Sequence, residues 1–525
     1  MKKTKRLLSL AVATLTAVGL SAVTAISSFA ADTYSVTVND TKAGHTYEAY
    51  QIFTGKLNEA ETTLSDIEWG TGVDGAALLT ELKTITAYAD CESAADVAEA
   101  LDNASTSVVD EFAAVVAKHL ATASKSVASS DGKTVIDGLS VGYYLIKDAA
   151  AVSGTDAATK FIVELVKNVE VTPKSSVPDV VKKVQDNDDG VADKWQDVAD
   201  YSIGDKVPFQ ITGTMPSTIA DYSEYIYIFH DTLSKGLTFN NDVVVKIGGV
   251  VITPTAVTNT TTADKNTEIT ISFDDILAAA KAANVTVDAN TKVVVTYTAT
   301  VNSDAVVGLD GNPNEVYLEF SNNPNADGKG ETGETPKDQV VVFTYKLEVT
   351  KVDGQNATKK LQGAQFTLKN ADGKFAKIDA NNKLVGWVDE ADASTLTSDE
   401  NGFFTVIGLD EGTYTLTEIV APDGYNLLAN PITLVITAND IHDVDYTGAN
   451  AADLLTAITL KVDSAAEVSG DAAQGLVSTN VENNSGSVLP STGGIGTTLF
   501  FVGGGIIVAA AVIILIARKR MKNAA

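Results

Sequence analysis

The sequence predicts an all-β-dominated protein built from tandem immunoglobulin-like β-sandwich domains with helical insertions. An N-terminal signal peptide and a C-terminal transmembrane helix frame the domains. Three observations carry this reading. Many segments alternate apolar and polar residues with period two. Examples are Tyr34-Ser35-Val36-Thr37-Val38, Val243-Val244-Val245-Lys246-Ile247, Val293-Val294-Val295-Thr296-Tyr297 and Leu347-Glu348-Val349-Thr350, with Gly, Asn and Asp turns between them, the signature of sandwich strands. The chain has 525 residues, room for about three domains at roughly 150 residues each. Its two long apolar runs stand at its ends.

Taken in order, Lys2, Lys3, Lys5 and Arg6 precede an apolar segment from Leu7 to about Ala25, and Ser28-Phe29-Ala30 offers small residues for cleavage near Ala30 or Ala31. Residues 1–31 therefore read as a secretory signal peptide. A first domain occupies residues 32–173. Helix-like spacing over Ala76–Ala87, Ala94–Leu101 and Ser107–Ala123 predicts helices packed on its sheets, and Phe273–Ala283 does the same in a middle domain, residues 174–343. A last domain follows over residues 344–484. The Pro- and polar-rich segments Val171–Pro178 and Asn322–Lys337 read as boundaries. One internal echo stands out. Thr134–Asp148 and Thr405–Glu418 are each a strand, a Gly-containing turn and a strand ending in an acid, so the first and last domains are expected to share a topology.

Composition excludes several functions. A net charge of −30 and a pI near 4.4 repel nucleic acid and suit a solvated exported surface. The single cysteine, Cys91, rules out an internal disulfide in a compartment that would permit one, so robustness must come from elsewhere. The four histidines, His45, His119, His230 and His442, lack metal-ligand spacing. Gly138-Leu139-Ser140-Val141-Gly142 fits a nucleophile-elbow pattern, but a strand and not a helix follows the serine. Asp186–Gly190 fails the calcium-loop pattern, with Gln185 and Gln196 at the first and last ligand positions. No metal, cofactor or catalytic constellation is expected, and the chain does not read as an enzyme.

Near the C-terminus, Leu489-Pro490-Ser491-Thr492-Gly493 precedes an apolar run from Ile495 to Ala517 and the cations Arg518-Lys519-Arg520. As a helix the run spans roughly 35 Å, against ~30 Å of bilayer hydrocarbon, and the cations stop export on the cytoplasmic side. Residues 489–525 resemble the cell-wall sorting signal of Gram-positive surface proteins, which a sortase transpeptidase reads. The resemblance implies cleavage between Thr492 and Gly493, with Thr492 carried as a thioester and passed to an amine.

Val169-Glu170-Val171-Thr172-Pro173-Lys174 resembles the pilin motif of sortase-assembled backbone pilins, although Thr172 replaces the usual Tyr and Leu165 stands where a Trp is often found. The resemblance implies that the Lys174 amine of one subunit attacks the acyl group at Thr492 of another. In the middle domain, Pro178–Val184, His230–Leu237 and Tyr317–Pro324 resemble a pilin domain with a self-formed Lys–Asn isopeptide bond. Alternation puts Val180, Lys182 and Val184 on one face, and Leu318, Phe320 and Asn322 on another. Lys182 with Asn322 is therefore the expected pair, with Asp231 as the assisting acid. In the last domain, Tyr414–Tyr425 resembles the E-box of collagen-adhesin B-type domains. Lys351 is expected to pair with Asn483, assisted by Glu418. These residue types suit the chemistry. A buried lysine loses its proton, and a buried acid keeps its own and polarises the carboxamide. In the first domain Asp148 aligns with Glu418, but Tyr34–Asp40 contains no lysine, so no bridge is expected there.

Over nearly its whole length the chain thus resembles the major, or backbone, pilin of a Gram-positive sortase-assembled pilus. The resemblance implies a covalent shaft subunit on the cell wall with a role in adhesion. Its partners would be a pilin-specific and a housekeeping sortase, identical subunits, ancillary or tip pilins, and peptidoglycan. The alternative is a monomeric wall-anchored adhesin with the same bridged domains and an unused Lys174.

Overall fold

The computed structural model describes residues 33–58, 63–102, 104–149, 154–173, 176–187, 194–325, 330–440, 445–486 and 495–522. The signal peptide, Lys174 and the pentapeptide Leu489–Gly493 lie outside the described residues.

Period-two alternation becomes two-layered sheet packing three times over. In the first domain, strand Tyr34–Thr41 lies between Gly132–Leu139, antiparallel, and Val169–Val171, parallel. The facing sheet runs Leu64–Trp69, Thr46–Leu57, Gly142–Asp148, Lys160–Leu165, with Lys125–Ala128 on Thr46–Leu57. Strand Gly142–Asp148 is buried on both faces. Tyr144 and Ile146 pack with Val36, Val38 and Ile136 between the sheets, while Leu145 packs with Phe53, Leu78, Val97 and Phe112. The second of these clusters is closed by helices Gly75–Leu82, Ala94–Leu101 and Thr106–Lys118. Two of them start on side-chain caps, Asp74 accepting from Ala77 N and Ser93 from Asp96 N, which satisfies otherwise orphaned N–H groups.

The middle domain pairs two sheets. One runs Trp195–Gln196, Val180–Gln185, Lys206–Thr214, Lys292–Val301, Val244–Ile247, Val250–Val251. The other runs Val198–Asp200, Asp338–Phe343, Asn312–Ser321, Tyr227–Leu233, Thr267–Phe273, Ala256–Thr261. The segment 322–337 does not separate domains as expected. Thr332–Glu334 pairs with Asn312–Ser321, and Asp338–Phe343 joins the same sheet. The chain leaves this pair of sheets only at Thr344.

In the last domain, Tyr345–Asp353 lies between Phe403–Leu409, antiparallel, and Leu476–Asn483, parallel. Its facing sheet contains Gln365–Lys369, Gly412–Val420, Ile432–Asp440 and Leu455–Val462. The internal echo thus folds alike in both places. Its first strand pairs with the domain's opening strand, its second belongs to the facing sheet, and the domain's final strand runs parallel to the opening one. The middle and last domains share one continuous core. At their contact Ile203 N donates to Gly408 O at 2.9 Å.

The C-terminal helix, Ile495–Lys522, exposes Ile506, Ile507, Val508 and Ile513. Among the described residues no helix is long and apolar enough to cross a membrane. The spanning role expected of 495–517 therefore rests on its sequence.

Candidate cross-link sites

Each interior lysine is placed by its strand. In Val180–Gln185, residues 180, 182 and 184 point inward, and the Lys182 N–H is held by Asp338 Oδ2 at 2.6 Å. Lys182 is fully buried. Its Nζ donates to Asp231 Oδ2 at 2.6 Å and to the Tyr297 hydroxyl at 3.1 Å. The Tyr297 hydroxyl donates to Asp231 Oδ2 at 2.8 Å and accepts from Asn314 Nδ2 at 2.7 Å. Lys182 and Tyr297 come from one sheet, and Asp231 and Asn314 from the other, so the cluster ties the two layers together. Burial pushes the Lys182 amine down from its ordinary value, against the pull of Asp231. The same burial raises the Asp231 carboxyl, against Lys182 and Tyr297. Both directions favour a neutral amine beside a protonated acid.

Asn322 does not join this cluster. Val316 is the residue of its strand opposite Asp231. Six further residues at about 3.3 Å each put Asn322 roughly 20 Å along the sheet. There it is a junction residue, its carbonyl accepting from Ala158 N at 2.8 Å and its N–H donating to Glu331 O at 2.9 Å. Asn314 lies two residues from Val316 in the other direction, on the same inward face. It is fully buried, and its Oδ1 and Asp231 Oδ1 have no hydrogen-bond partner among the described residues. Sequence reasoning missed both Asn314 and Tyr297. The signals were present, because Asn314 shares alternation with Leu318 and Phe320, and Tyr297 with Val293 and Val295.

In the last domain Lys351 sits in parallel register with Val481, and Asn483 lies two residues on, opposite Asp353. Lys351 is fully buried. Its Nζ donates to Val481 O at 2.8 Å and stands 3.9 Å from Glu418 Oε1. Asn483 Nδ2 donates to Glu418 Oε2 at 2.9 Å and to Asn426 O at 2.7 Å. Leu428 N donates to the same Glu418 oxygen at 2.8 Å. Glu418 Oε1 and Asn483 Oδ1 are buried without a hydrogen-bond partner among the described residues. Burial lowers the Lys351 amine to about 8, although the Glu418 charge opposes the shift. The three residues of this expected site are therefore brought together.

The first domain holds a different arrangement at the aligned position. Asp148, almost fully buried, accepts from Thr46 N at 3.1 Å and pairs with His45 Nδ1, while His45 Nε2 lies 3.1 Å from Asp156 Oδ2. A histidine stands beside this acid.

Lys174 and Thr492, the residues expected to join subunits, lie outside the described residues, and the structure describes only their neighbours. Val169–Val171 is zipped onto Val36–Val38, three residues before Lys174. At the other end, Ser485 bridges to Tyr425, and Asn426 Nδ2 donates to Gly486 O at 2.9 Å, six residues before Thr492.

A family model described as Gram-positive pilin backbone subunit 2, Cna-B-like domain, matches residues 203–324, the stretch that supplies Asp231, Tyr297 and Asn314. Residues 203–324 are thus similar to a backbone-subunit domain of Gram-positive pilins. In the same chain a prealbumin-like fold domain matches residues 345–450, and an LPXTG cell-wall anchor motif matches residues 481–523, so its C-terminus is that of a cell-wall-anchored surface protein. The chain is similar to the trypsin-resistant surface T6 protein of Streptococcus pyogenes serotype M6, with 28% identity over 299 residues. That match covers 53% of this chain and about half, 49%, of the relative. Among solved structures it is similar to the T6 backbone pilin of S. pyogenes, at 18% identity and TM-score 0.49, covering 87% of this chain and 99% of that one. It is also similar to the major pilin SpaD of Corynebacterium diphtheriae, at 19% identity and TM-score 0.45, covering 87% and 98%.

Proposed function

We propose that this chain is the structural shaft subunit of a covalently polymerised surface pilus, and not an enzyme. The observation that carries the reading is the buried trio Lys351, Glu418 and Asn483. It brings an amine whose hold on its proton is weakened by burial, a carboxyl group and a carboxamide together on the interior face, at the end of the domain next to the sorting signal. The Lys351 nitrogen attacks the Asn483 carboxamide carbon, the C–N bond to the amide nitrogen breaks, and ammonia leaves with the amine's proton, relayed by Glu418. Lys182 and Asn314, assisted by Asp231 and oriented by Tyr297, do the same in the middle domain. The two bridges replace the missing disulfides. One ties neighbouring parallel strands and the other ties two sheets, so tension passes through covalent bonds.

Between subunits, Lys174 accepts the acyl group at Thr492 from a pilin sortase. The apolar run Ile495–Ala517 holds the chain in the membrane until cleavage after Thr492, and a housekeeping sortase transfers the finished fibre to peptidoglycan. Ancillary or tip pilins would join by the same lysine chemistry, and adhesion is the role such a fibre serves.

The test is the Lys174→Ala variant in cells that carry the sortases. The unsubstituted chain is expected to give a high-mass ladder on denaturing gels and the variant only single anchored subunits. A ladder that survives the substitution, or an unsubstituted chain found only as single subunits, overturns the reading in favour of a monomeric wall adhesin.

A further inference from the structure

The Asn483 carboxamide nitrogen donates to two acceptors that differ in kind. One is Glu418 Oε2 at 2.9 Å, and the other is the main-chain carbonyl of Asn426 at 2.7 Å. A carboxyl group accepts or donates according to its protonation, so Glu418 would meet either end of the carboxamide. A main-chain carbonyl only accepts. Turned about, the carboxamide would set Asn483 Oδ1 against Asn426 O, one buried acceptor facing another. Asn426 O therefore decides which end faces it. It holds the nitrogen, the atom that must leave, beside Glu418.

Asn426 is itself held in place. Its N–H donates to Asn484 O at 3.0 Å, and its side-chain nitrogen donates to Asn484 O at 3.2 Å and to Gly486 O at 2.9 Å. Just before it, Tyr425 closes a turn on Pro422 with Gly424 at φ +82°, and the Tyr425 hydroxyl donates to Asp353 Oδ2 at 2.7 Å. Asp353 is the opening-strand residue opposite Asn483. Just after it, Leu428 N donates to Glu418 Oε2 at 2.8 Å. The segment 425–428 thus touches the opening strand, the acid and the departing chain at once. The Asn426 side chain is only half-buried, so its contribution lies in these bonds rather than in packing.

On the function proposed above, on which this inference rests, the Lys351 nitrogen bonds to the Asn483 carboxamide carbon. The carboxamide nitrogen leaves as ammonia, taking the amine's proton by way of Glu418. That nitrogen gains positive character as it is protonated, and a carbonyl oxygen 2.7 Å away stabilises the charge. We infer that Asn426 is a positioning residue for the Lys351–Asn483 bond, its carbonyl orienting the leaving nitrogen and its side chain fixing that carbonyl against Asn484 and Gly486. Because those two residues lie just beyond Asn483, the carboxamide is presented only once the last strand is laid down to its end.

The test follows the newly made full chain after a pulse of labelled amino acid. Peptide mapping against time scores the branched peptides that join position 351 to 483 and position 182 to 314. Asn426→Ala is expected to slow the first at least tenfold and to leave the second unchanged. Asn426→Gln, which keeps a carboxamide donor, should recover most of the rate, and Asn426→Asp, whose carboxylate cannot donate, should not. An unchanged rate in Asn426→Ala overturns the inference, and so does equal slowing of both bonds. In the Lys351→Ala background, where this bond cannot form, adding Asn426→Ala should shift the thermal midpoint of the last domain by only a few degrees. An unfolded last domain in that background would reduce Asn426 to a structural role and also overturn it. If the unsubstituted chain never yields the peptide joining 351 to 483, the proposed cross-link itself fails, and the role of Asn426 falls with it.

Discussion

Asn483 donates its carboxamide nitrogen to Glu418 Oε2 at 2.9 Å, while the other oxygen of Glu418, Oε1, stands 3.9 Å from Lys351 Nζ. One carboxyl group thus spans the nucleophile and the group to be expelled, and it comes from the opposite sheet. On the proposed function, this placement suits Glu418 to relay a proton between the two groups. Glu418→Ala should leave Lys351 and Asn483 unjoined, so the intact mass rises by one ammonia after allowing for the substitution. The bridge closes a loop of more than 100 residues, worth about 4–5 kcal/mol in the loop-entropy model. The thermal midpoint of the last domain should fall accordingly, as calorimetry can check.

The middle domain offers a choice between two asparagines. Asn314→Ala should abolish one of two ammonia losses in the mature ectodomain, as should Lys182→Ala, and peptide mapping should recover a branched peptide joining positions 182 and 314. Asn322→Ala should keep both losses. A branched peptide containing position 322 would overturn the assignment.

Tyr297 touches all three participants of that cluster. Tyr297→Phe removes the hydroxyl that holds the Asn314 carboxamide while keeping the ring stacked on Phe209 at 5.5 Å. The bridge should still form, but at least tenfold more slowly after refolding, as followed by mass against time. An unchanged rate would reduce Tyr297 to a packing role.

In the first domain, burial pushes the His45 imidazole down, but Asp148 and then Asp156 outweigh it, and the group titrates above its ordinary value near 6.5. A raised folded-state value gives stability that is complete below about pH 6.5 and lost as pH rises through the folded value. The thermal midpoint of this domain should therefore decline from about pH 6.5 upward. The His45→Gln variant should be less stable in acid and show a flatter profile over that window.

The contact between the middle and last domains turns on Gly408, at φ +93°. A Cβ there would lie 2.2 Å from Ile203 Cδ1. Gly408→Ala should cost about 1–3 kcal/mol through overpacking and strain, read as a lower unfolding midpoint. Pairing it with Ile203→Ala should recover part of the loss.

Much of this was legible before any coordinates. Helix Ala94–Leu101 has the expected bounds, and Thr106–Lys118 starts one residue before the expected segment and ends five earlier, the chain turning at His119 into the loop that returns to the sheet. The inward faces of Val180–Gln185, Asn312–Ser321 and Tyr345–Asp353 are those that alternation assigns, because a strand's side chains must point to opposite faces whatever its neighbours are. The composition of 322–337 misled, since polar and Pro-rich residues suit a linker and an outer sheet edge equally.

Alternation determined which faces Lys182, Lys351 and Asn483 occupy, and terminal patterning determined that the chain is exported and anchored. Only the tertiary structure decided which asparagine joins the Lys182, Asp231 and Tyr297 cluster. Asn314 and Asn322 fall on the same alternation, although the strand ends at Ser321, one residue before Asn322, and the residue pattern alone does not choose between them. The register of that strand against Tyr227–Leu233 brings Asn314 to the cluster and leaves Asn322 roughly 20 Å away, because side-chain direction is a property of a strand alone and register is a property of two.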